Sequence, residues 1–406
     1  MPASPRLKHP SVSETADVRD MHTLQPSSGL RAVHALWILG LALAWLPAQA
    51  QADTYSFPGR LPASCVASSS STYTCTSLSL AAGDALTVGE PTTITVNGPL
   101  RTGADSHINA GGAPAMLTLV VIGISEIGDY ASVNANVRGG GAITVGANSK
   151  IVGSLTTVAG VINIGAYSSV LGAITTDSAA INLGDFSSVV GTITTNVAGV
   201  VTTGSDCSVA SNITTSSGAI NIGARCNIDG SLTVLVAGAI TIGASATVTG
   251  SIATTYRGSL VGAGAITLGD SVVAKGAVTT NTGAITIGTS THVASDVISN
   301  DGAITIGGKA SVGGSACTGN SGAITVGTST SVGGNVQTDM AGAITVGNLS
   351  KIGGAVTVKG AGANTVAPDA TVGTQIGSVC GSGPAVATAP AAVKVKSRQW
   401  RQIFLR

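Results

Sequence analysis

Gly141-Ala142-Ile143-Thr144-Val145-Gly146, followed by Lys150-Ile151 and Leu155-Thr156-Thr157, is the stretch that decides the fold. Ile143 and Val145 alternate with a small polar residue, the period of a strand with one buried face. The intervening Gly-Ala-Asn-Ser and Gly-Ser runs are corner sequences, so three short strands complete a circuit before the motif begins again at Gly160. Equivalent apolar positions recur further on as Ile240, Ile242, Val248 and Ile252.

The motif Gly-Ala-Ile-Thr-Ile-Gly starts at Gly141, Gly160, Ala179, Gly199, Gly218, Gly238, Gly264, Gly283, Gly302, Gly322 and Gly342. The step is 19 or 20 residues except between Gly238 and Gly264, where an insertion around Tyr256-Arg257-Gly258-Ser259-Leu260 lengthens it to 26. Weaker copies flank the series at Gly123 and Gly362. A period of this length predicts an all-β fold, a single-stranded parallel β-helix (β-solenoid) of 11 to 13 coils, 19 to 20 residues per coil. Each coil buries its inner face only against its neighbours, at a spacing of ~4.8 Å.

Composition agrees with a thin core and many bends: 56 glycines, 3% aromatic and 9% charged residues in a chain of 406, with abundant Val, Ile and Ala. The glycines are not on every third position, which excludes a collagen helix. Between residues 53 and 380 there are ten Lys and Arg against fifteen Asp and Glu, so no phosphate-binding face is expected and nucleic acid is excluded as a partner.

The organisation reads as a leader with signal peptide (1-52), an N-terminal cap (53-98), solenoid repeats (99-380), and a Pro/Ala linker with a basic tail (381-406). Leu36 to Leu46 is apolar, follows Arg31 and His34, and ends in Pro47-Ala48-Gln49-Ala50-Gln51-Ala52, the pattern of a cleaved export signal. Its core is shorter than the ~20 residues of a membrane-spanning helix, the alternative reading. Met21 is the better-placed start for such a signal, so export to the periplasm, outer surface or medium is expected. In the tail, Lys394, Lys396, Arg398, Arg401 and Arg406 accompany Trp400, Ile403 and Phe404 at helical spacing, suited to an anionic membrane surface or to a partner; a frayed terminus is the alternative.

Export allows disulfides. Cys207 and Cys226 are 19 residues apart, each three beyond a motif-closing glycine, in a slot held elsewhere by Ser149, Ser168 and Ser187. They therefore stack on adjacent coils within disulfide reach, with buried free thiols as the alternative. Cys65 and Cys75 lie in the non-repeating cap and close a loop there; the pairing of Cys317 and Cys380 is left open.

The outward position of the motif runs Thr144, Asn163, Asn182, Thr202, Asn221, Thr241, Thr267, Thr286, Thr305, Thr325 and Thr345. Its uninterrupted part, Thr241, Thr267, Thr286, Thr305, Thr325 and Thr345, is the candidate binding surface, able to order ice or to meet carbohydrate. A second Thr column holds Thr156, Thr175, Thr194, Thr214, Thr233 and Thr279, and its neighbour Thr157, Thr176, Thr195 and Thr215. A corner series, Tyr130, Tyr167 and Phe186, is interrupted by Asn148; stacked corner aromatics shield backbone or stack on sugar rings.

Catalytic chemistry finds few parts. His107 and His292 are some nine coils apart, and the acids Asp177, Asp185, Asp206 and Asp229 are scattered without a basic cluster. No spacing suits a metal, and no cofactor is expected. Val145-Gly146-Ala147-Asn148-Ser149-Lys150 looks like a hexapeptide acyltransferase repeat, but the six-residue register does not persist. The expected role is non-enzymatic.

Tyr55-Ser56-Phe57-Pro58-Gly59, the Cys65 and Cys75 pair, Ser77-Leu78-Ser79-Leu80 with Ala82-Gly83-Asp84, and the Gly-Ala-Ile-Thr-Ile-Gly coils together resemble the N-terminal region of secreted MSHA biogenesis (MshQ-like) proteins over residues 53 to 380. The repeat is also similar to bactofilins, the polymer-forming family. The resemblance implies a scaffold or adhesive part at the cell surface, associated with pili or self-polymerising, whose partners are other copies of itself or other surface components.

Overall fold

The computed structural model describes residues 52–254 and 264–375. The segment read as a signal peptide, the Tyr256 insertion, Cys380 and the basic tail at Trp400 lie outside the described residues.

The chain winds as a parallel β-solenoid with three sheets of 16, 15 and 16 strands, each strand pairing with its equivalents in the coils before and after it. In a typical coil the first face is Ile143–Val145, the second Lys150–Ile151 and the third Leu155–Thr157. Their partners one coil on are Ile162–Ile164, Ser169–Val170 and Ile174–Thr176, in register residue for residue. The period-two pattern gives this directly: Ile143, Val145, Ile151 and Leu155 point inward and are at most 1% exposed, while Thr144 and Lys150 face out. Each such buried side chain stabilises by roughly 1.5–3 kcal/mol, and every coil contributes several.

There are about 15 coils, more than the 11 to 13 that the motif counts. The additional coils stand at the N-terminal end, where the ladder runs from Leu78 to Leu100 to Ser125 in longer, unequal steps without the Gly-Ala-Ile-Thr-Ile-Gly signature. Thus Thr54–Phe57, Thr72–Cys75 and Leu78–Leu80, within the segment read as a cap, already belong to the three ladders. Closure of that end comes from a hairpin in which Cys65–Ala67 pairs antiparallel with Thr72–Cys75. Behind it Phe57 (0% exposed) meets Tyr73 edge to face at 4.8 Å. Asp84 accepts hydrogen bonds from the Asp53 and Ala81 amides at 2.8 and 2.7 Å, satisfying two donors at the solenoid's first edge.

The motif glycines exist because coils approach closely at that corner. A Cβ on Gly160 would lie 2.0 Å from the Gly141 carbonyl oxygen, and Gly342 adopts φ +149° as well.

Candidate functional site

Two inward polar columns hold the corners, and only one of them was foreshadowed by sequence. Ser149 Oγ donates to Gly128 O in the previous coil at 2.9 Å and accepts from Ala131 N at 3.1 Å; Ser168 repeats this with Gly146 O and Ser149 N at 2.8 and 3.1 Å. The slot therefore faces its own kind in the adjacent coil, and Cys207 and Cys226, in that slot, are disulfide-bonded with Cα atoms 4.5 Å apart. Cys65 and Cys75 are bonded likewise, Cα atoms 4.0 Å apart, across the N-terminal hairpin. Cys317 is also disulfide-bonded, and although its register position is outward it is only 2% exposed.

The second inward column is Thr157, Thr176, Thr195 and Thr215, continued by Thr254, Thr280, Thr318 and Thr338, all at most 5% exposed. Several of their hydroxyls donate to the carbonyl of the motif glycine that follows, Thr157 to Gly160 at 2.6 Å, Thr215 to Gly218 at 2.8 Å and Thr254 to Gly264 at 3.0 Å, while Thr280 donates to Gly264 O of the coil before at 2.9 Å and accepts from the Gly283 amide. The coil in which Ala179 replaces that glycine is also one where the hydroxyl, that of Thr176, has no partner. A run of threonines next to an outward Thr column reads as surface; nothing local says that a glycine carbonyl waits inside.

The predicted surface column is assembled as expected. Thr241, Thr267, Thr286, Thr305, Thr325 and Thr345 are consecutive ladder partners, each exposed between buried neighbours, and the column continues to Thr365. Ala265, Ala284, Ala303, Ala323 and Ala343 form an exposed parallel column, so this part of the first face is a flat, uncharged Ala/Thr stripe. In the N-terminal half the same face changes character: Asn182 donates to Asn163 at 2.8 Å, an amide ladder that ties coils together.

The corner after the first face is built of left-handed residues in successive coils: Tyr130, Asn148, Tyr167, Phe186, Asp206 and Arg225 have φ between 55° and 58°, and Ser245 to Leu349 continue the column. Non-glycine residues here cost about 1–2 kcal/mol each, more for large rings. Tyr130 and Tyr167 are 60% and 61% exposed, and Tyr167 stacks on Phe186 with centroids 4.7 Å apart and planes 6° from parallel. Below them Arg225 makes a two-pronged ion pair with Asp206, Nε to Oδ1 at 2.8 Å and a terminal nitrogen to Oδ2 at 2.6 Å. That hydrogen-bonded guanidinium holds the Asp206 carboxyl below the usual carboxylate range, and Asp206 in turn raises Arg225.

Other ion pairs lie apart from this corner and on the surface: Arg60 with Asp53, Arg101 with Glu126, and Lys359 with Asp339. His292 Nδ1 is 2.6 Å from Ser311 Oγ as exposed ladder neighbours on the second face. Among the described residues no group of three or more His, Cys, Asp or Glu is placed to hold a metal ion, and no helix is long and apolar enough to cross a membrane.

Fold and surface together define an all-β solenoid with stapled coils and continuous side-chain ladders. No family model matches the chain, and neither curated proteins nor solved structures give a match.

Proposed function

We propose that this chain is an exported, non-enzymatic rod of the bacterial cell surface, serving as a structural or adhesive scaffold. The observation that carries the reading is the pair of disulfides set into a continuous solenoid, Cys65 to Cys75 at its closed end and Cys207 to Cys226 between coils. Such bonds persist in oxidising, extracytoplasmic surroundings. The apolar leader around Leu36 to Leu46 supports export, and the resemblance to MshQ-like proteins supports a surface location beside pili. Partners on this reading are other copies of the chain or other surface components, with the basic tail contacting an anionic membrane surface.

Cell fractionation with thiol alkylation tests it. The chain is expected outside the cytoplasm, with its cysteines protected from alkylation until reductant is added. Recovery in the cytoplasm with freely alkylated cysteines overturns the reading.

The stripe from Thr241 to Thr345 favours a second reading, an ice-binding or carbohydrate-binding face. Its regular hydroxyl and methyl columns, set on a rigid sheet at ~4.8 Å, present a repeating surface to water or to a glycan. Ice crystals shaped by the protein, and left unshaped once Thr286 and Thr305 are both replaced by Lys, are the expected result for ice binding; unmodified ice growth with the natural chain removes that option.

A further inference from the structure

We propose that the left-handed corner of the N-terminal half is a clip for a neutral hexopyranose ring, with Tyr130 and Tyr167 as its jaws and Asn148 as its floor. The three residues occupy the same corner in successive coils: the Tyr130 amide donates to Ala147 O, the Asn148 amide to Ala166 O, and the Tyr167 amide to Asp185 O, each at 2.9 Å. All three share φ near +57° and all three are exposed. Tyr130 and Tyr167 hold their rings out in water on this strained backbone, and the stacking of Tyr167 on Phe186 leaves its other face toward Tyr130 free for a guest. Phe186 explains how one jaw is kept in place, because its ring lies flat against the far side of Tyr167 at one coil spacing.

The guest follows from the width and the charge of the gap. Two coils separate Tyr130 from Tyr167, ~9.6 Å at ~4.8 Å per coil. A planar guest in contact with both rings fills only about 7 Å, at roughly 3.5 Å per carbon contact, whereas a chair-shaped sugar with its axial hydrogens needs about 9 Å. Asn148, shorter than a tyrosine, leaves the outer part of the gap open and offers both a donor and an acceptor to ring hydroxyls. Asp129 and Asp185 flank the clip with their Oδ1 atoms engaged by the Ala147 amide in one case and the Ser205 amide in the other, each at 2.7 Å. These two carboxylates outnumber the one nearby cation, the exposed Lys150 two residues past Asn148, which favours uncharged hexoses and N-acetylhexosamines over uronic acids. This adds a ligand to the adhesive half of the scaffold reading; a purely structural rod would fail the assay below and still be exported.

The test is titration of the full mature chain with cellohexaose and with chitohexaose, followed by the ring resonances of Tyr130 and Tyr167. Both rings are expected to shift with at least one of these neutral glycans. Tyr130→Ala and Tyr167→Ala should each weaken binding roughly three- to tenfold, the loss of one ring contact. Asn148→Tyr should abolish binding by filling the gap with a third stacked ring, while circular dichroism stays as in the natural chain and melting falls only slightly, because Asn tolerates the left-handed backbone better than Tyr. Absence of any shift with both glycans, unchanged binding by the Asn148→Tyr protein, or equal binding of hexagalacturonate overturns the proposal.

Discussion

At its N-terminal end the solenoid buries Phe57 completely, lays a disulfide-bonded hairpin across its first edge and satisfies the exposed amides with Asp84; in its last described coils the equivalent inward positions are open. Val366 and Val372 are 38% and 36% exposed, although their ladder partners in the coil before, Val346 and Ile352, are 2% exposed. Asn364 stands where Ile344 stood, on the exposed side of the last ladder step. Both regions belong to the same three ladders, so the difference shows what a cap does. It supplies apolar cover for the terminal coil and partners for its edge, neither of which the repeat can supply to itself.

The largest break in this contrast should come from Phe57→Ala. Removing a fully buried ring costs about 3–5 kcal/mol, felt first as opening of the hairpin and the first coils. Val372→Ala, at an inward position already a third open, should cost under about 1 kcal/mol. Hydrogen exchange resolved by segment is the suitable measurement, because a solenoid frays coil by coil instead of melting as one unit. Equal loss of protection from both substitutions would remove the distinction between the ends.

A middle-sized effect is expected where neither end reaches. Opening the Cys207 to Cys226 bond releases a loop of 19 residues of sequence separation, which the chain-entropy model values at about 3 kcal/mol. Replacement of both by Ser should recover about 1 kcal/mol of that, since Ser149 and Ser168 show that the slot accepts a hydroxyl between a glycine carbonyl and a neighbouring amide. Replacement of both by Ala should recover none. Denaturant unfolding of the two double variants, oxidised natural chain beside them, checks the order; an Ala pair as stable as the Ser pair would show that the relay contributes nothing at this position.

These contrasts also show what the sequence made legible. The Ile and Val columns followed from period two, and the Cys207 and Cys226 pairing from one repeat of spacing in a Ser slot, because both are consequences of stacking identical coils. The first coils were not legible, since Leu78, Leu100 and Ser125 keep the ladder while their spacing and neighbours depart from the motif. The Thr157 column, legible as a run of threonines beside another, does not show its burial in the sequence, because that depends on a hydrogen bond to Gly160 that forms only once the corner is closed. The left-handed corner was likewise hidden, because Tyr130, Asn148 and Tyr167 carry none of the glycine that marks such a backbone locally. The Thr241 to Thr345 column follows from the same stacking, each Thr pairing with its equivalent one coil on.

The open end makes a smaller thermodynamic difference and a larger associative one. Val366→Lys with Val372→Lys should change folding stability by no more than about 0.5 kcal/mol, as partly exposed positions do. Charged side chains on the edge of the last described coil oppose pairing with another copy, so if the natural chain self-associates through this coil, sedimentation at rising concentration should show its larger species vanish in the variant. Association that persists unchanged in the variant would move the contact elsewhere on the rod.

The smallest effect belongs to the ion pair on the corner, far from both ends. Asp206 has its folded pKa lowered chiefly by the hydrogen bond from Arg225, so its contribution to stability is present above the unfolded carboxylate value of ~3.9 and is lost as pH falls through the folded value. Arg225→Ala should return the Asp206 carboxyl toward its ordinary range, which carbon-detected titration of that side chain reads directly. The pair is solvent-exposed, so salt screens it and little change in melting is expected. The titration midpoint is therefore the sensitive readout: an Asp206 midpoint unmoved by Arg225→Ala would mean that the carboxyl is held low by the corner backbone instead of by the guanidinium.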